Sequence, residues 1–264
     1  MAKATLRNRT AVVTGGASGI GRAMARAFAK AELSVAVTDV DGDGAEAVAS
    51  EIRSGGGDAI AVTCDVSRFA EVEALAAEVR ERLGPVGMLC NNAGIGGGLH
   101  PSMDVLDVGD WESVVGVNLW GVVHGVRAFT PRMIEDAAGG HIVNTASMAA
   151  FLPAAGTGPY TTTKFAVVGL SEVLRAELAP HEIGVSVLCP GPFDTGIWGG
   201  DQTSDTGGDP AALGPRVLAA VEANEPFIFT HPEFAPMVSD RFDRIATRLR
   251  EAGPAMHRAV KAAG

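Results

Sequence analysis

The chain is short of several kinds of residue, and each shortage closes off a class of protein. Only three of its 264 residues are cysteine, Cys64, Cys90 and Cys189, and they are far apart with no CxxC pair. That spacing argues against a disulfide framework and against a zinc ribbon. Each thiol sits in or beside an apolar run, so buried free cysteines in a reducing, cytoplasmic setting are expected. The six histidines have no HxH or HxxxH spacing, and no metal site is expected. Basic residues number 21 against 31 acidic ones, a formal net charge of -10 at pH 7. The chain therefore lacks the basic footprint of a nucleic-acid binder. The longest uncharged stretch, 137–163, is broken by Gly139, Gly140, Asn144, Pro153 and Pro159, so no membrane span is expected. The first residues show no secretory apolar region with a cleavage site. Aromatic residues make up 5%, and Tyr160 is the only tyrosine.

What the chain does have is an apolar fraction of 47% and 34 glycines. That apolar share is enough for a sizeable core. Short β-branched runs at 10–14, 34–38, 59–64, 87–91, 141–146, 185–189 and 226–230 alternate with helical patterns. The helices are expected at 20–31, 45–54, 69–83, 110–136, 158–179, 211–223 and 235–250, with Pro131 kinking the long fourth one. This alternation predicts an α/β fold with a parallel sheet and right-handed crossovers. The nearly pure apolar strands predict that helices cover both faces. No linker or repeat appears, which predicts one domain over 1–264. The Gly-, Asp- and Ser-rich segment 199–210 has no apolar period and reads as a loop within a lid at about 193–224. A helical tail follows at about 233–264.

The run Thr14-Gly15-Gly16-Ala17-Ser18-Gly19-Ile20-Gly21 joins the first strand to the first helix. A dinucleotide pyrophosphate needs bare backbone N–H groups at a helix N-terminus, and glycines permit that approach. A glycine motif alone is weak; between strand and helix of a first βαβ unit it is stronger. Asp39 ends the second strand, where a carboxylate accepts from ribose hydroxyls and repels a 2′-phosphate. No basic residue lies within 14–21 or follows Asp39 before Arg53, which favours NAD over NADP. The plainer role for Asp39 is to cap the turn before Gly42. Asp65, beside Val66, either faces an adenine edge or serves the start of the next helix. Asn92, Ala93 and Gly94 end the fourth strand, where small residues let the backbone come close to something flat.

Lys164 lies one helical turn after Tyr160, on the same face. An ammonium beside a phenol favours the phenolate, which suits proton transfer near neutral pH. YxxxK is common as a solvated surface pair. Against that, Thr161-Thr162-Thr163 is poor helix-forming sequence inside a helix start, and such local conflicts tend to mark functional sites. Ser147 ends the fifth strand, where the following loop can bring its hydroxyl over Tyr160 to bond a substrate oxygen. Asn118 interrupts an apolar helical stretch. It either holds a water towards Lys164 or bonds backbone across the helix.

In this order the motifs resemble those of a classical short-chain dehydrogenase/reductase, over about 10–230. The set is Thr14-Gly15-x-x-x-Gly19-Ile20-Gly21, Asp65, Asn91-Asn92-Ala93-Gly94, Asn118, Ser147, Tyr160-x-x-x-Lys164 and Pro190-Gly191. The resemblance implies a Rossmann-type, doubly wound, seven-stranded parallel sheet. It implies Tyr160 as general acid/base, Ser147 as substrate orienter, and Lys164 as both the nicotinamide-ribose ligand and the group that depresses the Tyr160 pKa. Asn118 would anchor a proton-relay water. Thr195 matches the position that bonds the carboxamide, and 187–190 would line the nicotinamide face. The family resemblance also implies a homotetramer or homodimer through the helices at 110–136 and 158–179.

The resulting expectation is an NAD-dependent oxidoreductase that interconverts a secondary, largely apolar alcohol and its ketone. Its pocket is expected from Ser147, Met148, Phe151, Leu152 and Pro153, from 95–99, and from Phe193 to Trp198. No Lys or Arg there would hold a carboxylate or phosphate. The rivals are an NADPH-dependent 3-oxoacyl-type reductase and a catalytically idle dinucleotide sensor or scaffold. Tyr/Lys-bearing sugar epimerases carry a longer substrate domain.

Overall fold

The computed structural model describes residues 9–100, 102–193, 197–198 and 208–252. Seven strands form one parallel sheet: β1 (Thr10–Thr14), β2 (Ser34–Asp39), β3 (Ala59–Thr63), β4 (Val86–Asn91), β5 (Gly140–Thr145), β6 (Ile183–Cys189) and β7 (Phe227–Phe229). Their order across the sheet is β3-β2-β1-β4-β5-β6-β7. The order reverses between β1 and β4, so the crossovers leave in opposite directions and open a crevice at the strands' carboxyl ends. This is the expected doubly wound α/β fold.

The helices are α1 (Gly19–Lys30), α2 (Gly42–Ser54), α3 (Phe69–Leu83), α4 (Val108–Val115), α5 (Gly121–Glu135), α6 (Gly158–Leu178), α7 (Leu213–Glu222) and α8 (Ala235–Glu251). Side chains alternate across a strand, so adjacent Val12 and Val13 of β1 enter different cores. On one face Met24 and Phe28 of α1, Val48 of α2 and Val217 of α7 pack on Val13, Val35 and Val37. On the other, Leu75 and Val79 of α3, Phe129 and Met133 of α5 and Leu174 of α6 pack on Val12, Ala36, Leu89 and Ile142. Each fully buried aliphatic or aromatic side chain contributes roughly 1.5–3 kcal/mol of transfer free energy.

The structure departs from the expected elements in the stretch 110–136. A π-helical turn, Gly116–Trp120, separates α4 from α5. The helix continues through Pro131 to Glu135, with the π turn lying earlier in the stretch. A π turn has no hydropathy signature, and such turns are frequent at functional sites. Within the stretch expected as a lid, residues 199–207 lie outside the described residues. Residues 213–222 form α7, whose Leu213, Val217, Ala220 and Val221 are buried.

The chain divides into two compact units, Met1–Thr230 and His231–Gly264. In the second, a 3-10 turn (Pro232–Phe234) leads into α8, which carries the ion pairs Arg244–Asp240 and Arg248–Glu251 and has no buried residue. Among the described residues no helix is long and apolar enough to cross a membrane.

Candidate active site

The loop from β1 to α1 is built for close approach. Gly15 has φ +65°, a left-handed conformation that favours glycine. A Cβ on Gly21 would fall 1.9 Å from the Gly15 carbonyl oxygen, so helix and loop meet there only because Gly21 has no side chain. Gly19 and Ile20 open α1. Ser18 is its N-cap residue but makes no side-chain cap bond, and the first turn carries no acid. The helix N-terminus thus presents backbone N–H groups and a positive dipole end, as an anionic pyrophosphate requires.

Asp39 faces this loop from the end of β2. Its Oδ2 accepts from the Ala17 N–H at 3.0 Å and its Oδ1 from the Asp41 N–H at 3.1 Å. The plainer of the two expected roles is seen directly: the carboxylate caps the turn, and it lies against the glycine loop. A carboxylate has about four lone-pair sites, so each oxygen keeps capacity for a ribose hydroxyl. Asp65 serves the turn before α3, with Oδ1 accepting from the Ser67 N–H at 2.9 Å and the Ser67 hydroxyl at 2.7 Å. Buried Val66 accepts from His124 Nδ1–H at 2.8 Å. The donors and the bare loop fit a nicotinamide dinucleotide.

Thr14, which sequence reasoning placed in the motif but gave no task, ties β1 to β4. Its Oγ1 accepts from Asn92 N at 2.9 Å and Ala93 N at 3.0 Å. The Asn92 amide returns a bond to Thr14 O at 3.0 Å. Gly94 lies near both Asn118 Oδ1 and Lys164 Nζ: a Cβ there would be 3.3 and 3.5 Å away.

The four residues expected to carry the chemistry come from three elements. Asn118 is fully buried in the π turn. Its Oδ1 accepts from Ile95 N at 2.8 Å and its Nδ2 donates to Ile95 O at 2.9 Å and to Thr163 Oγ1 at 3.3 Å. Thr163 Oγ1 donates in turn to the Tyr160 carbonyl at 2.7 Å. Lys164 is buried and donates from Nζ to Thr145 O at 3.0 Å, with Nζ 5.4 Å from the centroid of the Tyr160 ring. Burial lowers its pKa to about 8. Ser147 follows β5, accepts from Ala149 N at 3.1 Å, and lies 3.5 Å from the Pro190 carbonyl.

One expectation is corrected. The phenol of Tyr160 was expected below its ordinary pKa through Lys164. It is raised instead, because burial disfavours the phenolate, while the hydrogen bond from Ser147 pulls the other way. The Lys164 ammonium gives one of its three N–H donors to the Thr145 carbonyl.

Of the expected pocket, Met148 is buried, Leu152 is half-buried, and Trp198 lies against Tyr160 with ring centroids 4.9 Å apart. Phe151 turns its ring edge to Phe227 and Phe229 of β7, at 6.0 and 5.5 Å, and packs there. Phe193 bridges to Gly208. Pro190 O accepts from Met148 N at 2.9 Å, and Gly191 N donates to Thr230 Oγ1 at 3.1 Å. Thr195 lies outside the described residues. Among the described residues no three His, Cys, Asp or Glu side chains converge as metal ligands.

The glycine crevice and the neighbouring Ser147, Tyr160 and Lys164 are of a kind that would suit a dinucleotide-dependent enzyme. Residues 9–205 match the short chain dehydrogenase family, and the chain belongs to it, as an oxidoreductase acting on CH–OH groups. It is 36% identical over 249 residues to a 1-deoxy-11-beta-hydroxypentalenate dehydrogenase of Streptomyces avermitilis, covering 92% of each chain. A short chain dehydrogenase/reductase from Burkholderia phymatum in complex with NAD superposes with a TM-score of 0.86 at 32% identity, over 94% of this chain and 97% of that one. A metagenomic short-chain oxidoreductase in complex with NADP gives 0.73 at 31%, over 85% and 96%.

Proposed function

We propose that the protein uses NAD to interconvert a neutral, largely apolar secondary alcohol and its ketone, with Tyr160 as general acid/base. The observation that carries this reading is the buried Tyr160 phenol, bonded by Ser147, with Lys164 Nζ 5.4 Å from its ring. NAD, when bound, supplies the hydride acceptor. The chain supplies position and proton control. Ser147 orients the substrate oxygen towards the Tyr160 hydroxyl. In oxidation the ionised Tyr160 takes the hydroxyl proton; in reduction the neutral phenol gives that proton back. Lys164 is the cation nearest the phenol, and its charge favours the phenolate. Asn118, locked on Ile95, presents Oδ1 towards the Lys164 side as the anchor for a relay water.

The carboxylate of Asp39 at the glycine loop supports NAD over NADP, because a 2′-phosphate would meet it at close range. Exposed Trp120, Phe165 and Val173, on the stretches 110–136 and 158–179, support a homodimer or homotetramer built through them. Three free, buried cysteines support a reducing compartment.

The test is Tyr160→Phe together with separate fluorescence titrations with NAD and NADP. Loss of turnover with retained, tighter NAD binding is the expected result. An active Tyr160→Phe variant would overturn the proton-transfer assignment, and tighter NADP binding the cofactor assignment.

A further inference from the structure

The chain that follows β4 crosses the mouth of the site and is fastened to it repeatedly. Ile95 is held at both backbone polar groups by Asn118. Gly96 N donates to Ile197 O at 2.9 Å, and Trp198 lies so close over Gly96 that a Cβ there would fall 2.5 Å from its Cε3. His100 N donates to Gly156 O at 3.1 Å. Met103 touches Gly158, two residues before Tyr160. Past these fastenings the apolar side chains face solvent: Leu99 is 70% exposed, Met103 62%, Val105 62% and Val108 71%. A cluster of exposed large apolar residues beside a cleft marks a binding surface, whereas isolated ones are ordinary.

Along the chain, the shelf and the loops beside it carry acidic residues and no Lys or Arg. No Lys or Arg occurs between Arg82 and Arg127, between Arg132 and Lys164, or between Arg175 and Arg216. These windows contain β4, β5 and β6 and the loops at their carboxyl ends. Within them the shelf carries Asp104, Asp107 and Asp110. The one cation that the Tyr160 turn contributes, Lys164, is buried and bonded to Thr145 O. From these segments an anionic headgroup would meet carboxylates and no Lys or Arg. A second copy of this acidic face would meet like charge as well.

We infer that the substrate carries an extended, uncharged apolar body that leaves the cleft at Trp198 and lies along the shelf of Leu99, Met103, Val105 and Val108. The inference rests on the reading of Tyr160 as the reacting end of the site. It separates this protein from reductases of acyl groups on anionic carriers and from dehydrogenases of small polyols.

The experiment is a chain-length series, 2-butanol to 2-decanol, with NAD and the full-length protein. Transfer of each added methylene is worth about 0.8 kcal/mol, so kcat/KM should rise by up to about fourfold per methylene. In Val105→Ser/Val108→Ser the ratio of kcat/KM for 2-decanol to that for 2-butanol should fall by up to about fifteenfold, the apolar contact of roughly two methylenes. A 2-decanol analogue with a terminal carboxylate should be the poorer substrate. A flat series in the wild type, an unchanged ratio in the variant, or a preference for the carboxylate would overturn the inference. So would a change in the variant's mass by light scattering, which would assign the shelf to an interface between copies. If no alcohol of the series is oxidised, tryptophan quenching by the same alcohols in the presence of NADH decides, and equal affinities overturn the shelf. Tyr160→Phe separates the two readings. Activity in that variant sinks the proton-transfer role and the inference with it, whereas a dead variant beside a flat series sinks the shelf alone.

Discussion

The amide of Asn118 is joined to Thr163: Nδ2 donates to the threonine hydroxyl at 3.3 Å, and that hydroxyl donates onward to the carbonyl of Tyr160. Residues 45 positions apart are thereby held in one network. Thr163→Val keeps the β-branched shape and removes the hydroxyl, leaving a buried Nδ2 hydrogen without a partner. The cost in stability is about 1–3 kcal/mol. The expected kinetic result is a fall in kcat of about tenfold with little change in KM, since alignment in the transition state is lost while ground-state binding is kept. Thr163→Ser should restore kcat. Equal losses in the Val and Ser variants would mean that the hydroxyl has no positioning role.

Tyr160 is the sole tyrosine, so the alkaline absorbance of tyrosinate reports on it alone. Burial raises its pKa and the Ser147 hydrogen bond opposes the rise. Titration of the ligand-free protein should therefore give a midpoint above the ordinary value of about 10. Ser147→Ala should move the midpoint higher still. A wild-type midpoint below the ordinary value would contradict the burial argument.

Asp39→Ala removes the carboxylate that faces the glycine loop. Hydrogen bonds to a charged group are worth about 1.5–3 kcal/mol, which corresponds to about ten- to a hundredfold weaker NAD binding. Affinity for NADP should rise in the same variant. Calorimetric titration with both dinucleotides measures this, and unchanged discrimination would remove Asp39 from the ribose site.

His141 should make the protein acid-sensitive. It is buried, its Nε2 is 2.7 Å from Ser186 Oγ, and Ser186 Oγ donates to Glu225 O. The serine proton is thus committed, so the imidazole donates from Nε2. Burial first, and the charge of Arg175 second, lower its pKa to about 3. Because the folded value lies below the unfolded one of about 6.5, the unfolded chain binds the proton first as pH falls. Stability is unaffected above about pH 6.5 and declines from there towards pH 3, by several kcal/mol at the limit. Urea midpoints across this range measure the loss. His141→Asn should flatten the dependence, and an equally steep curve in that variant would place the sensitivity elsewhere.

Much of the architecture was legible because both periodicities are clean. β1 is buried at every position, and α3 runs over 69–83 as its apolar spacing predicts. The glycine loop was legible from its place between strand and helix. The π turn was not, since the pattern of apolar residues around Asn118 is the same for α and π winding. The roles of Thr14 and Thr163 were hidden for another reason. A threonine at a strand end or in a helix start has many ordinary uses, and only the partners at 2.9, 3.0 and 3.3 Å distinguish these two. The phenol's pKa was misjudged because sequence spacing places Lys164 on the right face but does not show how deeply the phenol is buried, and burial disfavours the phenolate.

A π turn amounts to one extra residue threaded into an α-helix, and each residue turns an α-helix by about 100°. Deleting one residue from 116–120 would leave a sequence fully competent to form a regular helix from α4 into α5. That helix would point the face now bearing Asn118 about a quarter-turn away from Ile95. The irregular winding therefore acts as a register mark. It lets α4 follow the mouth of the cleft and α5 follow the core, each in its own phase, with the one buried amide that both the loop and the Tyr160 helix depend on held where the two phases meet.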